Sequence, residues 1–262
     1  MKALRIAATG MQAQELNVEV ISNNIANMRT TGFKQVRAEF QDLLYQDIRR
    51  VGANSSAAGN IIPTGVQVGY GVKTGATARV MTQGNLQQTG KELDVAIRGE
   101  GFFSVQTPDG QTAYTRDGSF ELDANGNLVT LDGFQVQPNI TVPNNARSIT
   151  INREGEVQAL LGTATAPTNL GQIQLSRFVN KAGLQSIGDN LYLETPASGA
   201  AIDGTADAQG FGSISQNFLE NSNVNAVSEL SDLISAQRAY EMNAKVISAS
   251  DEMMQASANI VR

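Results

Sequence analysis

The last forty residues, Asn223 to Arg262, constrain the fold more than any other part of the chain. Ala226, Leu233, Tyr240, Ile247, Met254 and Val261 fall every seventh residue, and Leu230, Gln237, Ala244, Asp251 and Ala258 stand four after the first five. That spacing predicts one long helix with a narrow, mostly apolar stripe. No Gly or Pro interrupts the stretch from Val224 onward, and its Ala, Leu, Met, Glu and Gln are good helix formers. At 1.5 Å per residue the helix would run roughly 55 Å, too long for the inside of a small domain. Such a stripe contributes little until it is covered, so a partner is expected.

The beginning of the chain offers one. From Lys2 to Met28, Leu4, Met11, Val18 and Ile25 recur every seventh residue, with Ala7, Gln14, Ile21 and Met28 three after each. Gly10 is a local weakness of about 1 kcal/mol relative to Ala. Ser22, Asn23, Asn24 and Asn27 should end this helix, because short polar side chains compete for backbone hydrogen bonds. The economical arrangement is an antiparallel coiled coil of the two termini with the middle of the chain looped out. Its seam would be Leu4, Met11, Val18, Ile21 and Ile25 against Leu230, Leu233, Gln237, Tyr240, Ile247 and Met254. Gln237 and Asp251 are polar positions in the second helix's stripe. They reduce stability but fix register or hold a third helix, which predicts contacts beyond a two-helix pair.

Between the termini the texture changes. Glu39 to Val51 carries Phe40, Leu43, Leu44, Ile48 and Val51 at helical spacing, as a short helix or an extended connector, and Gly52 to Asn60 is a loop by composition. From about Ala76, short alternating strands are punctuated by Asp109-Gly110, Asp117-Gly118, Asn125-Gly126, Asp132-Gly133 and Glu154-Gly155, the chemistry of tight hairpins. A β-meander or small barrel follows from this. The Gly- and Ala-rich connector from Pro196 to Ser213 leads back to the last helix, and this segment and Val66 to Val80 are expected to pair as a neck. The fold class is α+β. Residues 1–34 with 223–262 form a helical domain, 35–90 with 196–222 the neck, and 91–195 the central all-β domain.

Composition removes several function classes. A net charge of −6 supplies no basic field for nucleic acid or an anionic membrane. The chain has no Cys and no His, so disulfides, thiolate metal sites and Ser-His-Asp or Cys-His catalysis are impossible. No run is long enough for a membrane span, and the start is broken by Arg5, Gln12, Gln14 and Glu15 before it forms a secretory apolar region. Asp123 to Gly133 mimics a calcium loop but misplaces the Gly and lacks the closing Glu. Carboxylate pairs such as Glu92 with Asp94 read as a solvated face, and no catalytic site convenes. Arg238 is expected to pair with Glu241 on its own helix. A binding module on a helical stalk would need an exposed aromatic pocket, for which Phe102, Phe103, Tyr114, Phe120 and Phe134 are the candidates.

Four segments carry a resemblance. ANMRTTGFK, Ala26 to Lys34, is similar to the N-terminal signature of the bacterial flagellar rod and hook proteins, and SNVNAVSELSDLISAQRAYEMNAKVI to their closing motif, with Gln237, Arg238, Ala239 and Tyr240 at its centre. Leu93 to Phe103 and Tyr114 to Pro138 resemble the family's central β segments, in family order. The residues matching the family motifs are Ala26, Asn27, Thr31, Gly32, Phe33, Lys34, Arg238 and Asn243. What the resemblance implies is a self-assembling structural subunit, with no enzymatic activity, no cofactor and no metal. Its place would be the periplasm-spanning rod of the basal body, transmitting torque and exported without a cleaved signal peptide. The length and the small, polar residues of Gln46 to Gly65 favour the distal rod over the proximal rod or the hook. Implied partners are further copies of the chain, the proximal rod, the hook and the ring proteins, with neither nucleic acid nor membrane insertion.

Overall fold

A computed structural model describes residues 2–50, 64–162, 164 and 166–260. The expected loop Gly52 to Asn60, Val51 and the last heptad residue Val261 lie outside them. The chain divides into two compact units, one of residues 1–25, 36–78 and 226–262, the other of residues 26–35 and 79–225. No helix among the described residues is long and apolar enough to cross a membrane.

The first unit contains both long helices, α1 (Lys2–Ala26) and α2 (Ala226–Ile260). α1 ends where the Asn cluster predicts. The buried Asn24 turns its amide away from the helix, its Oδ1 accepting from the Val36 N–H at 2.9 Å and its Nδ2 donating to the Val36 carbonyl at 2.8 Å. In α2, the Ser231, Ser235, Ser248 and Ser250 hydroxyls donate to carbonyls four residues back, so these four side chains are satisfied within the helix.

Between the helices in sequence, the chain makes a two-stranded ribbon. Val36–Asp42 pairs with Val72–Arg79, and Tyr45–Arg49 pairs antiparallel with Val66–Gly69. The helical spacing from Glu39 onward is thus overridden by alternation, Val36, Ala38 and Phe40 turning inward and Arg37, Glu39 and Gln41 less so. The ribbon follows α1, tied at Asn24 to Val36 and at Lys2 to Gln46. Each tie-to-tie span is about 33 Å, at 1.5 Å per helical residue and 3.3 Å per strand residue. The ribbon corrects the expected neck pairing, because the connector's strand Ile202–Thr205 pairs with Gln174–Arg177 and not with Val66 to Val80.

The second unit is β throughout apart from a short 3-10 turn. Its main sheet has nine strands, with Phe102–Gln106 central between Thr112–Thr115 and Gln135–Gln137 and also paired to Gln174–Arg177. A three-stranded sheet, Ala146–Ile151, Glu156–Leu161 and Thr168–Gln172, and two short pairs complete it. Strand alternation decides the core. Phe103 faces a cluster with Val95, Ile97, Phe120, Ile173 and Leu175, while its neighbour Phe102 points the other way onto Tyr114, Phe178 and Tyr192. These aromatics stack edge to face, Tyr114 on Phe178 at 4.8 Å and Phe103 on Phe120 at 5.1 Å. Four of the expected turn glycines, Gly110, Gly126, Gly133 and Gly155, have positive φ. Gly118 does not, and its role is close packing, since a Cβ there would stand 1.6 Å from the Val95 carbonyl oxygen.

Candidate functional site

α1 and α2 approach one another at two described places. Asn24 Nδ2 donates to Glu229 Oε2 at 3.1 Å, and a Cβ on Gly10 would lie 3.0 Å from the Asn243 amide. Gly10 stands fourteen residues before Asn24, and Asn243 fourteen after Glu229, so the two contacts share one register with the helices running in opposite directions. Gly10 is therefore a point of close approach as well as a helix weakness.

The seam residues are placed unevenly. In α1, Ile21 is buried and Leu4, Met11, Val18 and Ile25 are half-buried. In α2, Leu233 and Ile247 are half-buried, whereas Leu230, Gln237, Tyr240 and Met254 are exposed. The buried positions are instead Glu229, Ala236 and Ser250, with Asn243 half-buried between them like Leu233, Ala244 and Ile247; this column repeats every seventh residue one position earlier than the expected Leu230, Gln237, Ala244 and Asp251. Small and polar groups thus face into the unit. Leu230, Ile234, Met242, Val246 and Met253 face out. The expected Arg238 to Glu241 pair is not made, and neither residue has an ion-pair partner among the described residues.

The motif from Ala26 to Lys34 enters the β unit and ends in a buried junction. Ala26 is exposed; Asn27 Oδ1 accepts from the Thr30 hydroxyl at 3.1 Å, and the Thr31 carbonyl accepts from Asn190 Nδ2 at 3.1 Å. Gly32, at φ +70°, donates its N–H to the Glu220 carbonyl at 2.8 Å. A Cβ on Gly32 would meet the Asp117 nitrogen at 2.7 Å, so this position needs glycine on two counts. Phe33 is buried beside it.

Lys34, 1% exposed, donates to Glu220 Oε1 at 2.5 Å and to the Thr82 carbonyl at 2.9 Å. The same Oε1 accepts the Gly84 N–H at 2.8 Å. Glu220 Oε2 takes Arg116 Nη1 at 3.2 Å, and Arg116 Nη2 donates to the Gly99 carbonyl at 2.7 Å. The Arg116 guanidinium lies 5.3 Å from the centre of the Phe102 ring. Burial lowers the pKa of both cations, with Glu220 opposing the shift in each. One carboxylate thus joins the N-terminal motif, the strand that returns to α2 and the hairpin at Arg116. Sequence reading singled out Lys34 only through the family motif and missed Arg116 and Glu220, whose separations of 186 and 104 residues leave no local signal.

Elsewhere the groups do structural work. Asp123 Oδ1 accepts from the backbone of Asn125 at 2.8 Å and Asn127 at 2.7 Å, a side-chain turn that lowers its pKa, with the Asn127 backbone bond the largest cause. No group of three acids suited to a metal occurs among the described residues. Phe102, Phe103, Tyr114 and Phe120 are buried and Phe134 packs against the core, so these five residues build interior rather than an open aromatic pocket.

The β unit is thus held by buried charge, and the long C-terminal helix leaves Leu230, Ile234, Met242, Val246 and Met253 exposed, as a subunit that packs against other chains would. Comparison with known proteins gives its family. Residues 4–34 match the flagella basal body rod protein model, residues 96–159 the flagellar hook protein FlgE/F/G D1 domain, and residues 215–260 the flagellar basal body rod FlgEFG protein C-terminal model. The flagellar basal-body rod protein FlgG of Caulobacter vibrioides is 57% identical over 99% of both chains, and that of Agrobacterium fabrum 54% identical over 97% of both. The Bacillus subtilis FlgG is 38% identical over 100% of each chain. The crystal structure of the Helicobacter pylori flagellar hook protein FlgE2 matches 71% of this chain at 15% identity and a TM-score of 0.25, the match spanning 43% of that protein. The chain belongs to the flagellar basal-body rod protein family.

Proposed function

We propose that α1 and α2 pair as an antiparallel coiled coil and form the inner layer of a helical tube, with the central β domain turned outward. The base of this reading is family membership: the chain is a structural subunit of the flagellar basal-body distal rod. The observation that carries the assembly is the outward apolar face of α2, where Ile234 remains 50% and Met242 60% exposed although the opposite face is already used. Apolar surface of this kind is normally an interaction site. Contacts between unlike faces repeat without closing and build a filament.

In this reading the tube spans the periplasm as a drive shaft. Its partners are further copies, the proximal rod, the hook and the surrounding rings, and the unfolded subunit leaves through the flagellar export channel without a cleaved signal peptide. The three-part division, helical 1–34 with 223–262, neck 35–90 with 196–222 and central 91–195, is part of the same proposal. Pairing of Leu86–Gln88 with Phe218–Glu220 supports its neck. Electron microscopy and sedimentation of the purified chain test the assembly. Ordered tubes above a threshold concentration are expected, and a monomer at every concentration would overturn it.

A further inference from the structure

In the helical unit, a cavity of about 400 Å³ is lined by Glu15, Val18 and Glu19 of α1 and by Gln237, Tyr240 and Glu241 of α2. Val18 and the Tyr240 ring, the latter 44% exposed, give it an apolar wall, and three carboxylates surround the wall. None of the three has an ion-pair partner among the described residues. An apolar wall ringed by unpaired carboxylates suits a cation on an aliphatic stem.

α2 also carries that group, outside the cavity lining. Arg238 lies about 200° around the helix from the buried Ala236, and Lys245 the same angle from Asn243, so both cations project away from the face that meets α1. Both are exposed, seven residues apart, and neither is ion-paired among the described residues. We propose that the cavity receives the Arg238 side chain of a second copy, with Lys245 of that copy reaching the same acidic rim. The stem covers Val18, the guanidinium stacks on Tyr240, and its fork of donors meets the carboxylates of Glu15, Glu19 and Glu241. Apart from Glu241, which neighbours Arg238 and Lys245 on α2, the cavity lining and the two cations are different residues, so the contact propagates head to tail. The inference rests on the assembly reading above and names the faces that meet.

Charge exchange in the full chain tests it, read as the concentration at which half the protein sediments as polymer. Arg238→Glu and Glu19→Arg are each expected to raise that concentration about tenfold or more, since like charges at a contact are costly. The chain carrying both changes is expected to recover to within about threefold of the wild type, because the pair is restored in reverse. Single variants that assemble like the wild type, or a double variant no better than the worse single, would overturn the pairing, while wild-type tubes would leave the assembly reading intact. A wild-type chain that never polymerises removes the assembly reading itself, and the pairing with it. Circular dichroism establishes that the variants fold. Should a reversal unfold the subunit, Arg238→Gln and Glu19→Gln replace it, and assembly unaffected by both would also refute the contact.

Discussion

Glu220 neutralises two cations that have almost no access to water, and this makes it the residue on which the β unit is most sensitive. Glu220→Gln keeps the shape but leaves Lys34 and Arg116 buried without a counter-charge, at a cost of about 3–5 kcal/mol. Lys34→Met removes one cation and leaves Glu220 paired with Arg116, so it should cost distinctly less; urea unfolding of the two full-length variants orders them. If both lose the same small amount, the junction is not the shared element described. A second test concerns Tyr114, whose phenol is pushed up to about 12 from an ordinary 10.0, by burial first and by the nearby carboxylates of Glu194 and Asp203 after it. The unfolded chain releases this proton first. The stability contributed by the neutral phenol is therefore complete below pH 10 and lost as pH rises towards about 12. The difference in phenolate absorbance between wild type and Tyr114→Phe should titrate near the upper value in the folded chain, and a midpoint at the lower one would show the ring to be solvated.

At the scale of the element, α2 shows how far an apolar pattern can be read. Leu230→Ala should leave subunit stability within about 0.5 kcal/mol, as for an exposed site, yet raise the assembly threshold. Ala236→Leu forces extra volume into the buried column and should destabilise the subunit by about 1–3 kcal/mol. Thermal unfolding and sedimentation of the two variants separate the effects, and the reverse pattern would mean that the inward column was misassigned. The helix itself, its length and its sevenfold repeat were legible, because heptads and the absence of Gly and Pro act locally. The inward column was not, because the reading placed the large apolar residues inside the subunit. Ala236, Asn243 and Ser250 point inward, and Leu230, Ile234 and Met242 are left to something beyond the chain. Of the ribbon, Val66 to Val80 was legible as strand, whereas Val36–Asp42 and Tyr45–Arg49 were legible only as an extended alternative. Nothing local at Val72–Arg79 indicated that Val36–Asp42 was its partner.

For the whole molecule, the division of the chain at the end of α1 matters more than the closeness of the motif to the helix. Residues 1–25 belong to the helical unit, whereas 26–35, including Gly32 and Lys34, fold with the β unit. A chain lacking residues 1–28 thus loses the α1 side of the helical unit but keeps the Lys34–Glu220 pair and the Gly32 hydrogen bond to Glu220. One lacking residues 1–34 loses all of them and leaves Glu220 with Arg116 alone. The shorter deletion is therefore expected to retain a cooperative β transition near that of the intact chain and to form no tubes. The longer deletion should lower the same transition by more than Lys34→Met does, since the Gly32 hydrogen bond and the buried Phe33 are lost with the Lys34 pair. Calorimetry and electron microscopy of the two truncations read these outcomes separately. Tubes from the chain lacking 1–28 would show that α1 is dispensable for assembly, and equal β transitions in both truncations would show that Lys34 does not hold the β unit together.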